Sequence, residues 1–81
     1  MIERNEYFNL KKEIRILSYN NILKLCEEMG LDEEERILLI NFYRNKSRVQ
    51  TCMEIGMSFD TYTKHMKLLF SKINNYKNTL K

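Results

Sequence analysis

Apolar residues recur along this chain every three or four positions with polar residues between them, the period of helices buried on one side. The first stripe is Tyr7, Leu10, Ile14 and Leu17, and the second is Ile22, Leu25, Cys26 and Met29. Between them Ser18-Tyr19-Asn20-Asn21 gathers poor helix formers, so the segment reads as two helices or one bent helix. Gly30 stands where a left-handed C-terminal cap belongs. Asp32 with Glu35 is a capping signature for the next helix, whose Ile37, Leu38, Leu39, Ile40, Phe42 and Tyr43 point nearly all the way round. Such a helix is expected at the centre of the core, with the N-terminal helices on one face and the C-terminal helices on the other. Asn45 tolerates the left-handed conformation that ends it.

Ser47 with Gln50 repeats the capping pattern, Gly56 stops the short helix that follows, and Ser58 is the next N-cap. The expected helices therefore lie near residues 5–17, 20–29, 33–44, 48–55 and 59–75. The expectation is an all-α fold, a compact four- or five-helix domain. The lack of proline and the presence of only two glycines agree, because a β-protein of this size needs more turn punctuation. A chain of 81 residues has room for one domain. Within it, residues 1–30 read as an N-terminal helical extension, 31–73 as a helix-turn-helix core and 74–81 as a polar tail.

Composition then narrows the function classes. No apolar run approaches the roughly 20 residues that span a bilayer, and the N-terminus mixes acidic with basic residues, so the chain reads as cytoplasmic with no membrane partner. Cys26 and Cys52 fit that compartment as free, small, buried residues. The net charge of +3 divides unevenly: residues 1–35 hold 5 Lys/Arg against 9 Asp/Glu, and residues 36–81 hold 9 against 2. A basic C-terminal half is the footprint of a polyanion binder.

Ser47 to Ile73 carries the sharpest signal. Two helices separated by Gly56-Met57-Ser58 make a helix-turn-helix arrangement, with Cys52 as the small residue at the close crossing and Ile55 and Met57 as apolar anchors. In the second helix Tyr62, Met66, Leu69 and Ile73 form one buried stripe. The opposite side presents Phe59, Asp60, Thr63, Lys64, Lys67 and Ser71. Lying in a major groove, Thr63 and Lys64 are the first choices for base contact and Lys67 the next, while Asp60 either accepts from a cytosine amino group or caps the helix. Arg44, Lys46, Ser47 and Arg48 are placed for phosphates, and Lys72 is a further candidate. Phe59 either touches a thymine methyl, inserts at a base step or packs on the turn.

From Leu31 to Ile73, without a gap, the chain resembles the DNA-binding domain of LuxR-type transcription regulators. The matching positions include Leu31, Glu35, Arg36, Leu38, Leu39, Ser47, Cys52, Ile55 and Met57, and most specifically Ser58, Thr61, His65, Met66, Leu69, Phe70, Lys72 and Ile73. The same residues are similar to the last helix-turn-helix region of sigma factors. The resemblance implies DNA binding through residues 59–73, with Ser58 opening that helix and Thr63, Lys64 and Lys67 facing the groove. Departures fall at Tyr62, where the family has a β-branched aliphatic residue, at Thr51, where it has isoleucine, and at Asn41, where it has an apolar residue. The family's fourth helix has no clear counterpart in residues 74–81.

The reading is a small bacterial or phage DNA-binding transcription regulator, working as a homodimer whose candidate surface is residues 7–29. The alternative is a protein-interaction module of the same fold that docks on RNA polymerase or a regulator, or a phage-encoded inhibitor of a host protein. Pure docking predicts an exposed apolar patch involving Tyr7, Phe8 or Tyr19. His65 is expected to pack at the helix-turn-helix seam, and Met29, Met53, Met57 and Met66 to fill gaps in the core or seam. Phosphate loops, Ser/His/Asp sets and metal-ligand spacings are missing from the sequence, so neither an enzyme nor a cofactor is expected.

Overall fold

The computed structural model describes residues 4–79, which form five helices: α1 (Arg4–Ile16), α2 (Tyr19–Met29), α3 (Glu33–Tyr43), α4 (Arg48–Ile55) and α5 (Phe59–Thr79). No strand occurs among the described residues. Residues 80 and 81, the end of the expected polar tail, lie outside them, as do residues 1–3.

Local chemistry sets each boundary. Ser18 breaks the first thirty residues into two helices by capping α2, its side chain accepting from the Asn21 amide at 3.2 Å. Gly30, at φ +63°, closes α2 in the left-handed conformation. Both expected capping boxes are present, Asp32 with Glu35 at the start of α3 and Ser47 with Gln50 at the start of α4. Asn45 adopts φ +61°, and the Lys46 amide donates back to the Asn41 carbonyl at 2.9 Å, which turns the chain out of α3.

The core joins Leu10 and Ile14 of α1, Ile22 and Cys26 of α2, Leu38 and Leu39 of α3, and Met66, Leu69, Phe70 and Ile73 of α5. Phe70 is fully buried, and the rings of Tyr7 and Phe42 meet it edge-on, each with centroids 5.0 Å away. Each such pair contributes about 0.5–1.5 kcal/mol beyond the area it buries.

The central element is α5 rather than α3. α5 packs against α1, α3 and α4, whereas Ile37, Ile40, Phe42 and Tyr43 of α3 are only half-buried. Length explains the difference: α3 has 11 residues and α5 has 21, so only α5 can span the other helices with one stripe. α5 also runs past the expected end at residue 75. Tyr76 donates to Glu28 of α2 and Lys77 pairs with Glu13 of α1, so tertiary contacts hold a polar segment in helix.

Two polar residues at the α3–α4 junction prove to be partners. Asn41 and Thr51 are both buried, and the Asn41 amide donates one hydrogen to the Thr51 hydroxyl (3.4 Å) and one to Glu54 Oε2 (2.8 Å). Thr51 in turn donates to the Ser47 carbonyl at 3.1 Å. A polar bridge thus joins α3 and α4, and no buried side-chain N or O atom among the described residues lacks a partner.

Candidate nucleic-acid interface

The helix-turn-helix seam is built from small and flexible parts. Gly56 takes φ +66° and ends α4, and the Met57 amide donates to the Cys52 carbonyl at 2.9 Å. Cys52 is buried, with Ile55, Met57 and Tyr62 half-buried around it. Met66 is buried and Met29 half-buried, as their gap-filling role requires. Met53 does not fill a gap: it is 79% exposed on the outer side of α4, because the short helix buries only the side carrying Thr51 and Cys52.

The predicted contact residues separate by what already holds them. Asp60, Thr63, Lys64 and Lys67 are all exposed on α5, and the Thr63 hydroxyl donates to its own helix at the Phe59 carbonyl (3.0 Å). Ser58 caps α5, its Oγ accepting from the Thr61 amide (3.2 Å) and bonding the Thr61 hydroxyl (2.9 Å). Ser47 is engaged likewise at α4, so both serines serve first as caps. Arg44 lies over the Tyr19 ring at 5.1 Å, turned towards α2, and Lys46 pairs with Glu54 at 3.6 Å. Arg48 lies over the Phe59 ring at 4.6 Å, and Phe59 remains half-exposed beneath it. The guanidinium of Arg48 thus covers part of the exposed ring.

Two further cations join this set. A shallow groove of about 320 Å³ runs between α1, the segment leading into α4, and α5. Its floor is Phe42, Met66 and Phe70, and its walls carry Lys11, Arg15, Lys46, Arg48 and Lys67, with no Asp or Glu. Lys11 Nζ sits 4.5 Å from the Tyr7 ring centre and the Arg15 guanidinium 4.6 Å from that of Phe42. Burial pushes the phenol pKa values of Tyr7 and Tyr62 above their ordinary value, so the two groove tyrosines stay neutral and add no negative charge. Lys11 and Arg15 escape a reading by charge totals because residues 1–35 are acidic on balance. The signal lay in spacing: Tyr7, Lys11 and Arg15 fall at i, i+4 and i+8, one side of a helix.

The other flank of α5 has the opposite character. His65 Nδ1 meets Glu34 Oε1 at 2.6 Å, and Lys72 Nζ meets Glu35 Oε2 at 2.6 Å. The Glu35 carboxylate, by hydrogen bonding, raises the Lys72 pKa and holds its charge in place. Lys72 therefore belongs to the acidic start of α3 and not to the groove. His65, expected as seam packing, is a half-exposed polar link between α5 and α3, because its position on α5 faces the Glu33-Glu34-Glu35 turn.

Among the described residues no group of three or more His, Cys, Asp or Glu side chains could hold a metal ion. Burial pushes the Cys26 thiol pKa up, away from nucleophilic use. No described helix is long and apolar enough to cross a membrane. No protein-family model, curated protein or solved structure matches this chain.

Proposed function

We propose that this protein is a DNA-binding transcription regulator that lays α5 in the major groove of duplex DNA. The observation that carries the reading is the five-cation groove without a carboxylate, continuous with the outward side of α5 that presents Thr63 and Lys67. Unlike charges are sorted to the two flanks of one helix, so a polyanion approaching α5 meets attraction on one side and repulsion on the other. That sorting gives a preferred docking orientation.

Roles follow from reach. Thr63, Lys64 and Lys67 are assigned to base edges, with Asp60 beside them as an acceptor. Arg48 is assigned to phosphate, held ready by Phe59, and Lys46 contributes less because Glu54 partly neutralises it. Arg44, Ser47 and Ser58 take supporting places at the rim. The LuxR-type and sigma-like resemblance of residues 31–73 favours the same assignment. A homodimer is part of the proposal, because one recognition helix makes few contacts.

Pure docking is the second reading. Of the three aromatics it named, Tyr7 is half-buried against Phe70, while Phe8 (58%) and Tyr19 (39%) are exposed, with Lys12 and Arg44 over their rings. The test is fluorescence anisotropy of a random-sequence duplex of roughly 30 base pairs, three helical turns, across a salt series. Wild type is expected to bind with a steep salt dependence, and K64E/K67E to bind far more weakly while keeping its helical circular dichroism. A wild-type protein that fails to bind at low salt rules the reading out.

A further inference from the structure

We infer that α1 is a phosphate-binding element, with Lys11 and Arg15 gripping the phosphodiester backbone of the duplex strand that runs past Arg48 and Lys67. The inference rests on the duplex-DNA reading above and deepens it, because α1 lies outside the helix-turn-helix and nothing in that motif calls for it.

Three observations combine. Lys11 and Arg15 line the same groove as Lys67 and Arg48, so a strand seated there passes all four. Residues four apart on a helix are about 6 Å apart along its axis, within a Debye length of about 8 Å, so both cations act on one short stretch of strand. Neither is ion-paired to a described residue. Each is instead steadied by a ring, Lys11 by Tyr7 and Arg15 by Phe42. A ring face orients a cation without neutralising it, which leaves the charge for a ligand.

The energetics point the same way. Lys46 is paired with Glu54, but Lys11, Arg15, Arg48 and Lys67 repel one another in the free protein, and a seated polyanion removes that repulsion. The acidic side chains of α1 stay away: Glu6 and Glu13 line a separate depression with Asn74 and Lys77. On α1, then, Lys11 and Arg15 line the groove while Glu6 and Glu13 line the separate depression. The consequence for assembly is that the side of α1 carrying Tyr7, Lys11 and Arg15 is reserved for DNA. A homodimer drawing on residues 7–29 would use the other sides of α1 and α2.

The experiment measures duplex affinity against salt for four proteins carrying the whole 81-residue sequence: wild type, K11Q/R15Q, the charge-retaining K11R/R15K, and R36Q/K72Q. The last removes the same net charge outside both the groove and residues 7–29. The expected result is a log–log salt slope shallower by about 1.8 in K11Q/R15Q, two phosphate contacts at about 0.9 each. K11R/R15K and R36Q/K72Q should keep the wild-type slope. A wild-type slope in K11Q/R15Q overturns the role of α1 and leaves the α5 reading standing. An equal loss in R36Q/K72Q reduces the effect to net charge and also overturns it. If wild type does not bind duplex but does bind an acidic peptide such as polyglutamate, both this inference and the duplex reading fall.

Discussion

Arg48 is the first residue of α4 and Phe59 the first of α5, and the guanidinium of one lies 4.6 Å from the ring centre of the other. The contact spans the helix-turn-helix from start to start. It fixes the direction of an exposed cation at the mouth of the groove and covers part of an exposed aromatic.

Phe59→Ala is expected to cost about 0.5–1 kcal/mol of stability, the value of an exposed cation–π contact. It should also weaken duplex binding by less than Arg48→Ala does, since the charge remains but loses its platform. Urea unfolding and anisotropy measure the two effects. A Phe59→Ala protein that binds DNA as poorly as Arg48→Ala would make the ring itself the contact.

The Asn41–Thr51 bridge gives a double-mutant test. Asn41→Leu alone is expected to cost about 1–3 kcal/mol, because Thr51 and Glu54 both lose a donor. Adding Thr51→Val should cost less than its effect in wild type, since an apolar pair then replaces a polar one. The expected coupling is of order 0.5–1.5 kcal/mol by chemical denaturation. Strict additivity would mean that the two residues do not act as a pair.

Gly56 sits at φ +66°, and a Cβ there would meet nothing within 4 Å. Gly56→Ala should therefore lose only the backbone term, about 1–2 kcal/mol, without disturbing the α4–α5 packing. Gly56→Asn should lose less, as Asn tolerates the left-handed region. A thermal melt series of the three proteins settles the order, and equal midpoints would contradict it.

Glu54 sets one pH dependence. The hydrogen bond from Asn41, with help from Lys46, lowers its pKa below the ordinary carboxylate value. A depressed carboxylate stabilises the fold above its unfolded pKa and stops doing so as pH falls through the lower folded value. Glu54→Gln should thus be less stable than wild type near neutral pH, and the gap should narrow towards about pH 3. Urea midpoints across that range measure it. A constant gap would mean that the charge of Glu54 contributes nothing.

The helices were legible because each carries its own punctuation. Ser18, Asp32 and Ser47 cap with their side chains, Gly30 and Gly56 turn the chain because they lack one, and the partners of all five lie within four residues. What the sequence hid was long-range. The apolar surround of α3 suggested a central helix, but apolar content does not say which helix is long enough to organise the rest. The extension of α5 to Thr79 depends on Glu28, 48 residues from Tyr76, and on Glu13, 64 residues from Lys77. The Lys72 charge is held by Glu35, 37 residues earlier in the chain. Lys11 and Arg15 were concealed by the acidic total of their own segment.

The most direct test of the duplex-binding claim is a titration of isotopically labelled protein with a short DNA duplex, followed amide by amide in nuclear magnetic resonance spectra. Shift changes are expected at residues 44–48 and 59–67 and at Lys11 and Arg15, with the Glu33-Glu34-Glu35 turn and Lys72 unmoved. Absence of change on saturating DNA, or changes centred on the acidic flank, would contradict that claim.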